Sequence, residues 1–167
     1  MPEAPPDLLE ALLDSWDRNN TIQLNLLRLL PEGGLAAKAT PASPTVGQLF
    51  AHMVYLRLVH VLEDAPEHAT AVPDEEWPDE RDRERLDRLL DESATEVRTA
   101  ARARIAAGRA MDLHYDHPLL MIQHLIWHEA YHHGQIKLAL IAEGMPLDDQ
   151  TIGPGTWGVW MDKATKL

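Results

Sequence analysis

The 167-residue chain has no cysteine. It can therefore form neither a disulfide nor a thiolate metal site, and it has no cysteine nucleophile of its own. Thiol chemistry at this protein would require a thiol supplied by another molecule. A metal site would have to use histidine or carboxylate ligands.

Apolar runs and positive charge are also scarce. No segment approaches the roughly 18 consecutive apolar residues that a transmembrane helix needs. Residues 1–6 show neither the positive charge nor the apolar stretch of a signal peptide. Against 15 Lys and Arg stand 27 Asp and Glu, and the net charge of −12 repels nucleic-acid phosphates and anionic lipid headgroups. We therefore expect a cytoplasmic protein that binds neither nucleic acid nor a membrane.

Apolar residues recur at three- and four-residue steps, and no window alternates polar and apolar residues long enough to predict a strand. The periodic segments predict four helices, at about residues 7–30, 44–64, 80–107 and 117–143. Four amphipathic helices of this length indicate an all-α fold, a four-helix bundle that forms a single domain over residues 1–167.

The residues between the periodic segments predict how the helices begin and connect. Ser43 and Asp116 are the expected N-caps of the second and fourth helices. The segment between the second and third helices is rich in Pro, Asp and Glu and predicts a solvated loop. The C-terminal tail, residues 145–167, contains Trp157 and Trp160 and predicts either a lid or a strap packed on the bundle.

The nine histidines exceed the roughly three or four that general residue usage predicts. His128 and His132 are four residues apart on a predicted helix, about 40° around its axis and roughly 6 Å along it, so they project from one face. His52 lies on the apolar side of the second helix, where an unpartnered imidazole would be costly to bury. Three neutral imidazoles suit Ni²⁺, Zn²⁺ or Fe²⁺ and leave coordination positions open. The sequence therefore predicts a metal site whose affinity falls below about pH 6.

The other histidines leave alternatives open. His124 precedes His128 by four residues, so these two form a rival pair, although the drift of about 40° per step carries one of the three helical histidines off the shared face. His133 is expected to face solvent or to orient a neighbour. The remaining histidines are expected at the surface, and they are His60, His68, His114 and His117.

Residues 128–132 also match H-E-x-x-H, the helix of zinc proteases in which the glutamate is the general base. The longer form of that motif needs a further H-x-x-G-x-x-H spacing, which His133 and Gly134 break. No strand is predicted that would hold a peptide beside the site. The sequence disfavours a protease.

Several neighbours of the predicted site have two interpretations each. Gln135 could hydrogen-bond a ligand histidine or fill a polar gap, and Glu129 could accept the free N–H of a ligand imidazole or face solvent. Gly134 is expected to allow the close approach of a neighbouring helix. Further candidates for the pocket, although aromatic residues at helical spacing are more often core, are Trp16, Asn20, Tyr55, His124 and Tyr131.

In combination, these residues resemble a known family. His52, the run from His128 to Gln135 and Gly144-x-Pro146 are similar to the pattern of the DinB-like superfamily of bacterial metal-binding four-helix bundles. The resemblance extends from about Leu8 to Pro146 and includes the residues that open the second helix. It implies a bundle with a crossover order of helices, a divalent metal on the histidine triad and a homodimer.

Better-understood members of the superfamily are bacillithiol S-transferases and mycothiol-dependent isomerases. A divalent cation lowers the pKa of a bound thiol and holds it as a thiolate, which can then attack an electrophile. The resemblance therefore implies a metal- and thiol-dependent S-transferase in detoxification or stress response, with a low-molecular-weight thiol such as bacillithiol and an electrophile as partners. The alternatives are a non-catalytic metal- or ligand-binding stress protein and a metal-dependent hydrolase.

Overall fold

The structure, a computed structural model, describes residues 7–162. Its elements are α1 (Leu8–Leu29), α2 (Val46–Asp64), α3 (Arg83–Ala106), α4 (Pro118–Ala142) and the single turn α5 (Asp149–Ile152), with short 3₁₀ turns between them. No strand occurs within this part of the chain, so the predicted all-α bundle is confirmed. The ends of the predicted domain, residues 1–6 and 163–167, lie outside the described residues.

The helices follow a crossover order. α3 packs most extensively on α1 and on α2, while α4 contacts all three of the other long helices. α1 is therefore paired mainly with α3 and not with α2, which follows it in the chain. This order brings α2 and α4, the helices that carry His52 and His128, side by side.

The start of α2 differs from the prediction. Thr45, not Ser43, is the N-cap, because its side chain accepts a hydrogen bond from the backbone N–H of Gln48 while Gln48 Oε1 accepts one from the backbone N–H of Thr45. This reciprocal capping box satisfies two donors that a helix start leaves unpaired. Ser43 instead lies 2.8 Å from the Thr40 hydroxyl in the preceding turn.

The starts of α3 and α4 also shift. α3 begins at Arg83, with Asp82 as its N-cap, about three residues later than predicted. The N-cap of α4 is His117, whose ring accepts a hydrogen bond from the backbone N–H of Leu119, so the prediction of Asp116 is wrong. Pro118 occupies the first helical position, where a missing N–H costs nothing.

A buried polar network lies between two apolar clusters and joins all four helices. Arg57 of α2 is fully buried and forms a bidentate ion pair with Glu129 of α4. Asn19 and Asn20 of α1 bond to Glu129 and Arg57 respectively, and Ser93 of α3 lies 3.3 Å from the Arg57 guanidinium. Because such a network is favourable only when every member is paired, it fixes the register of the helices around the neighbouring histidines.

The C-terminal segment is a strap along α1. The guanidinium of Arg18 donates to the carbonyl of Val159, and the amide of Asn25 donates to the carbonyl of Gly155. Trp157 and Trp160 remain 57% and 43% exposed, and they border a cavity between the strap, α1 and α4. Of the two predictions for the tail, a lid or a strap packed on the bundle, the structure supports the strap for the described residues 145–162.

Among the helices of the described region, none is both long and apolar enough to cross a membrane.

Candidate metal centre

Three imidazoles from two helices meet at one point. Nε2 of His128 lies 3.2 Å from Nε2 of His52 and 2.8 Å from Nε2 of His132. His52 and His132 are each only 6% exposed, and all three residues can offer ligand atoms within 4.8 Å of one another. The structure thus brings together the three residues that the spacing predicted as ligands, and it selects the pair His128 and His132 over the pair His124 and His128.

The contacts of the Nδ1 atoms explain why the Nε2 atoms converge. Nδ1 of His132 lies 2.6 Å from Oε1 of Gln135, an oxygen that can only accept, so the ring proton is assigned to Nδ1 and Nε2 keeps a free lone pair. Nδ1 of His52 lies 3.0 Å from Oε1 of Glu76, although it is not aligned for a hydrogen bond. Of the two interpretations of Gln135, the structure supports the contact with a candidate ligand histidine.

Burial keeps the cluster neutral. Burial first, and the neighbouring imidazoles second, lower the pKa of His52 to about 4 and that of His128 to about 3. Burial also lowers the pKa of His132, against the effect of Gln135, which raises it. Because the rings stay neutral well below pH 6, proton competition for a bound metal begins at a lower pH than the sequence indicated.

The loop before α3 covers the cluster, a feature that the sequence did not predict. The Trp77 indole stacks on the His52 ring, with centroids 3.7 Å apart and planes 7° apart. The loop is tied to the start of α2, where the Gln48 amide donates to the carbonyl of Trp77 and the Thr45 hydroxyl donates to Asp79. The predicted solvated loop is therefore one wall of the site.

Gly47 allows this close approach. A Cβ at this position would lie 2.1 Å from the carbonyl oxygen of Glu80, a distance that no side chain tolerates. The glycine in the first turn of α2 is the sequence signal for the covering loop. A glycine does not stabilise a helix, and its lack of a Cβ is what admits the loop.

Glu129 has neither of the two predicted roles. It is fully buried, and its carboxylate is paired with Arg57 and Asn19, so it neither contacts a ligand imidazole nor faces solvent. It lies between His128 and His132 in the sequence, and the ion pair fixes the part of α4 that carries both rings. The same contacts remove the general base that a zinc-protease helix requires.

The remaining predicted pocket residues are dispersed. Trp16 is fully buried, with its indole N–H donating to the carbonyl of Ala94, and Asn20 belongs to the Arg57 network, so both are core residues. Tyr131 is 56% exposed, with its ring centroid 5.4 Å from that of His132. Tyr55 is half-buried on α2.

His124 lies outside the triad, although it was the rival ligand. It is exposed, its Nδ1 is 2.7 Å from the Tyr115 hydroxyl, and its ring centroid is 6.3 Å from that of His128. His133 is half-buried and lines the cavity under the C-terminal strap. The expected close helix contact at Gly134 is not found among residues 7–162, since none of their atoms lies within 4 Å of the Cβ position there.

Two cavities border residues that contact the triad. The larger, about 380 Å³, is lined by Lys38, Ser43, Pro44, Gln48 and Trp77, among others. A smaller one of about 50 Å³ reaches Gln135, the partner of His132. Neither cavity is lined by a histidine of the triad, and each borders it only through Trp77 or Gln135.

The donor set fits a divalent metal. Three neutral nitrogens around one point are ligands that Ni²⁺, Zn²⁺ and Fe²⁺ accept, and three protein ligands leave positions free. Nδ1 of His128 is buried and has no hydrogen-bond partner among the described residues, so hydrogen bonding within residues 7–162 does not account for this arrangement. The fold and the cluster define a class, the four-helix bundle with a three-histidine site of the kind that holds metals.

Comparison with known families agrees with this class. The family model described as the DinB family matches residues 6–146, and the chain belongs to this family. Comparisons with curated proteins and with solved structures give no significant match.

Proposed function

We propose that this protein is a metal-dependent S-transferase that joins a low-molecular-weight thiol to an electrophile, in detoxification or stress response. The observation that carries the proposal is the convergence of three Nε2 atoms, 2.8 and 3.2 Å apart, in a chain that contains no cysteine. His52, His128 and His132 would hold Ni²⁺, Zn²⁺ or Fe²⁺. When bound, the metal supplies a Lewis-acid centre that lowers the pKa of a coordinated thiol.

The cleft beside the cluster supports a polar thiol. The residues that line it include Lys38, Ser43 and Trp77. Lys38 would bind a carboxylate of a thiol such as bacillithiol, and the sulfur end would lie towards the metal that the three imidazoles would hold. In a protein with a net charge of −12, a cation at this cleft favours an anionic ligand where most of the surface would repel it.

The reaction needs no other co-reactant. The S–H bond of the thiol and the bond from carbon to the leaving group break, and a carbon–sulfur bond forms. The proton passes to water, and the leaving group departs with its bonding electrons. Gln135 holds the His132 ring in position, and Trp77 shields His52 from water. We place this reaction in the cytoplasm, where small thiols are kept reduced.

The test is a fluorescence assay with monochlorobimane, a chloride-releasing electrophile, and a set of thiols that includes bacillithiol, mycothiol and glutathione. We expect an increase in thioether fluorescence that requires both metal and thiol and is lost in His128→Ala. Lys38→Ala should raise KM for an anionic thiol about tenfold, as expected for the loss of one charged contact of about 1.4 kcal/mol. His68→Ala is the matched control and should behave as the wild type.

Two results would contradict the proposal. Stoichiometric metal without turnover of any thiol would indicate the non-catalytic metal-binding protein. Hydrolysis of esters that needs metal but no thiol would indicate the metal-dependent hydrolase.

We also propose that the partner of this chain is a second copy. An apolar stripe along α4 is 45–68% exposed and consists of Leu120, Trp127, Tyr131, Leu138 and Ile141. From Trp127 through Gly134 to Ile141 the steps are four, three, four and three residues, and Leu120 lies seven residues before Trp127, the pattern of a helix seam that can pair with itself. Sedimentation analysis should find a dimer that Leu138→Glu dissociates, while Leu113→Glu, an exposed position elsewhere, leaves it intact. A monomeric wild type would exclude this interface.

A further inference from the structure

A second group of metal-ligating side chains lies at the other end of α2. It comprises His60 and Glu63, which are three residues apart on one face of the helix, and His114 from the loop between α3 and α4. Each offers a ligand atom, and these atoms lie within 4.8 Å of one another. We call this group the outer cluster. The prediction that His60 is a surface residue is wrong, since its side chain is only 13% exposed.

A buried carboxylate holds the outer cluster together. Asp64 is fully buried, and its Oδ1 accepts hydrogen bonds from the backbone N–H groups of Leu113 and His114. Its Oδ2 lies 2.8 Å from Nδ1 of His114 and 4.0 Å from Nδ1 of His60. An acceptor on Nδ1 leaves Nε2 of His114 with a free lone pair, the arrangement that metal-binding histidines usually have.

We propose that the outer cluster is a second divalent metal site, with His60, Glu63 and His114 as ligands and Asp64 as the positioning carboxylate. Ligand atoms of all three residues already lie within 4.8 Å of one another, and Glu63 and His114 are exposed, so only exposed side chains need to turn to place them around one ion. Two imidazoles and one carboxylate suit Zn²⁺, Fe²⁺, Co²⁺ or Mn²⁺.

The outer cluster is separate from the triad. The ring of His124 lies between them, with its centroid 5.5 Å from that of His60 and 6.3 Å from that of His128. Tyr115 contacts both His124 and His60 through its hydroxyl, at 2.7 and 3.5 Å. Glu63 and His114 are about 40% exposed, so the outer site exchanges its ion with solvent more readily than the inner one.

The test is a Co²⁺ titration of metal-free protein, purified without a histidine tag, with bound cobalt measured by equilibrium dialysis and elemental analysis. We expect two Co²⁺ per chain, bound in two phases. Glu63→Gln and His60→Ala should each remove the weaker phase and keep the tighter one, while His128→Ala should do the reverse. Glu63→Gln keeps the size of an exposed side chain and does not endanger folding.

His68→Ala is the matched control, because His68 is a partly exposed histidine that belongs to neither cluster. It should bind two Co²⁺. A single phase in the wild type would overturn the second site. A weak phase that survives in both Glu63→Gln and His60→Ala would also overturn it, since that would be unspecific binding to the acidic surface.

Discussion

The triad and the outer cluster use the same side chain in two different surroundings. The triad has three imidazoles from two helices, is covered by Trp77 and lies next to the buried pair of Arg57 and Glu129. The outer cluster combines two imidazoles with a carboxylate, one of its elements is a loop, and two of its members are about 40% exposed. One arrangement is set by the packed core and the other by a single buried carboxylate, Asp64.

The two clusters differ in how far their ligand side chains are prepared before a metal binds. In the triad, burial keeps the rings of His52 and His128 neutral before any ligand arrives, so a metal does not have to displace a proton from a charged ring. In the outer cluster, exposed side chains must be ordered when an ion binds, which costs roughly 0.5–1.5 kcal/mol for each one. The triad should therefore bind its metal more tightly.

Removing the support of the triad should have the largest effect. Arg57→Ala leaves the Glu129 carboxylate buried and unpaired, and should lower the free energy of unfolding by about 3–5 kcal/mol. Urea denaturation of the metal-free protein measures this. The matched change at the outer cluster, Glu63→Gln, should cost less than about 0.5 kcal/mol. The double variant Arg57→Met with Glu129→Met should recover most of the stability, and an Arg57→Ala protein as stable as the wild type would refute the role of the network.

Displacing the cover of the triad should have the next largest effect. Gly47→Ala places a Cβ 2.1 Å from the carbonyl oxygen of Glu80, so the loop must move and Trp77 leaves His52. We expect a loss of about 1–3 kcal/mol of stability and a tenfold to hundredfold weaker affinity for the tighter metal only, on the order of other changes beside metal ligands.

Gly134→Ala is the control for this variant, because the Cβ position of Gly134 has open space around it. It should keep the wild-type metal affinity, and the helix should gain about 1 kcal/mol. Equal metal affinities in the two glycine variants, measured by competition with a chelator, would show that the covering loop does not support the triad.

The last comparison concerns acid, whose effect is spread over several pH units. The pKa of His52 is lowered to about 4 and that of His128 to about 3, so below pH 6.5 the unfolded chain binds more protons than the folded one. The stability from the neutral rings is complete above about pH 6.5 and is lost as the pH falls towards 4, by at most about 1.4 kcal/mol per pH unit for each ring. Melting temperatures of the metal-free wild type should fall in this way as the pH is lowered. Those of metal-free His128→Phe should fall less steeply. An unchanged decline would contradict it.

The sequence predicted the features that depend on helical periodicity. The positions of the four helices and the shared face of His128 and His132 follow from a repeat of 3.6 residues. The apolar surroundings of His52 indicated that it needed a partner. Gln135, one turn from His132, was within reach of it for the same reason.

The features that escaped prediction depend on contacts between distant segments. Trp77 reaches His52 only because Gly47 admits the loop, and nothing near Trp77 in the sequence indicates this. Glu129 is paired with Arg57 across the bundle, and a carboxylate in the apolar helix α4 was the signal that sequence inspection missed. His60 and His114 are brought together by Asp64, a carboxylate that resembles any surface acid until the fold buries it.

The most direct test of the central claim is X-ray absorption at the zinc edge, on untagged protein loaded with less than one equivalent of Zn²⁺. We expect three imidazole nitrogens at about 2.0–2.1 Å from the zinc ion, and fewer in His128→Ala. A spectrum without imidazole scattering, or one that His128→Ala leaves unchanged, would show that His52, His128 and His132 do not form the metal site.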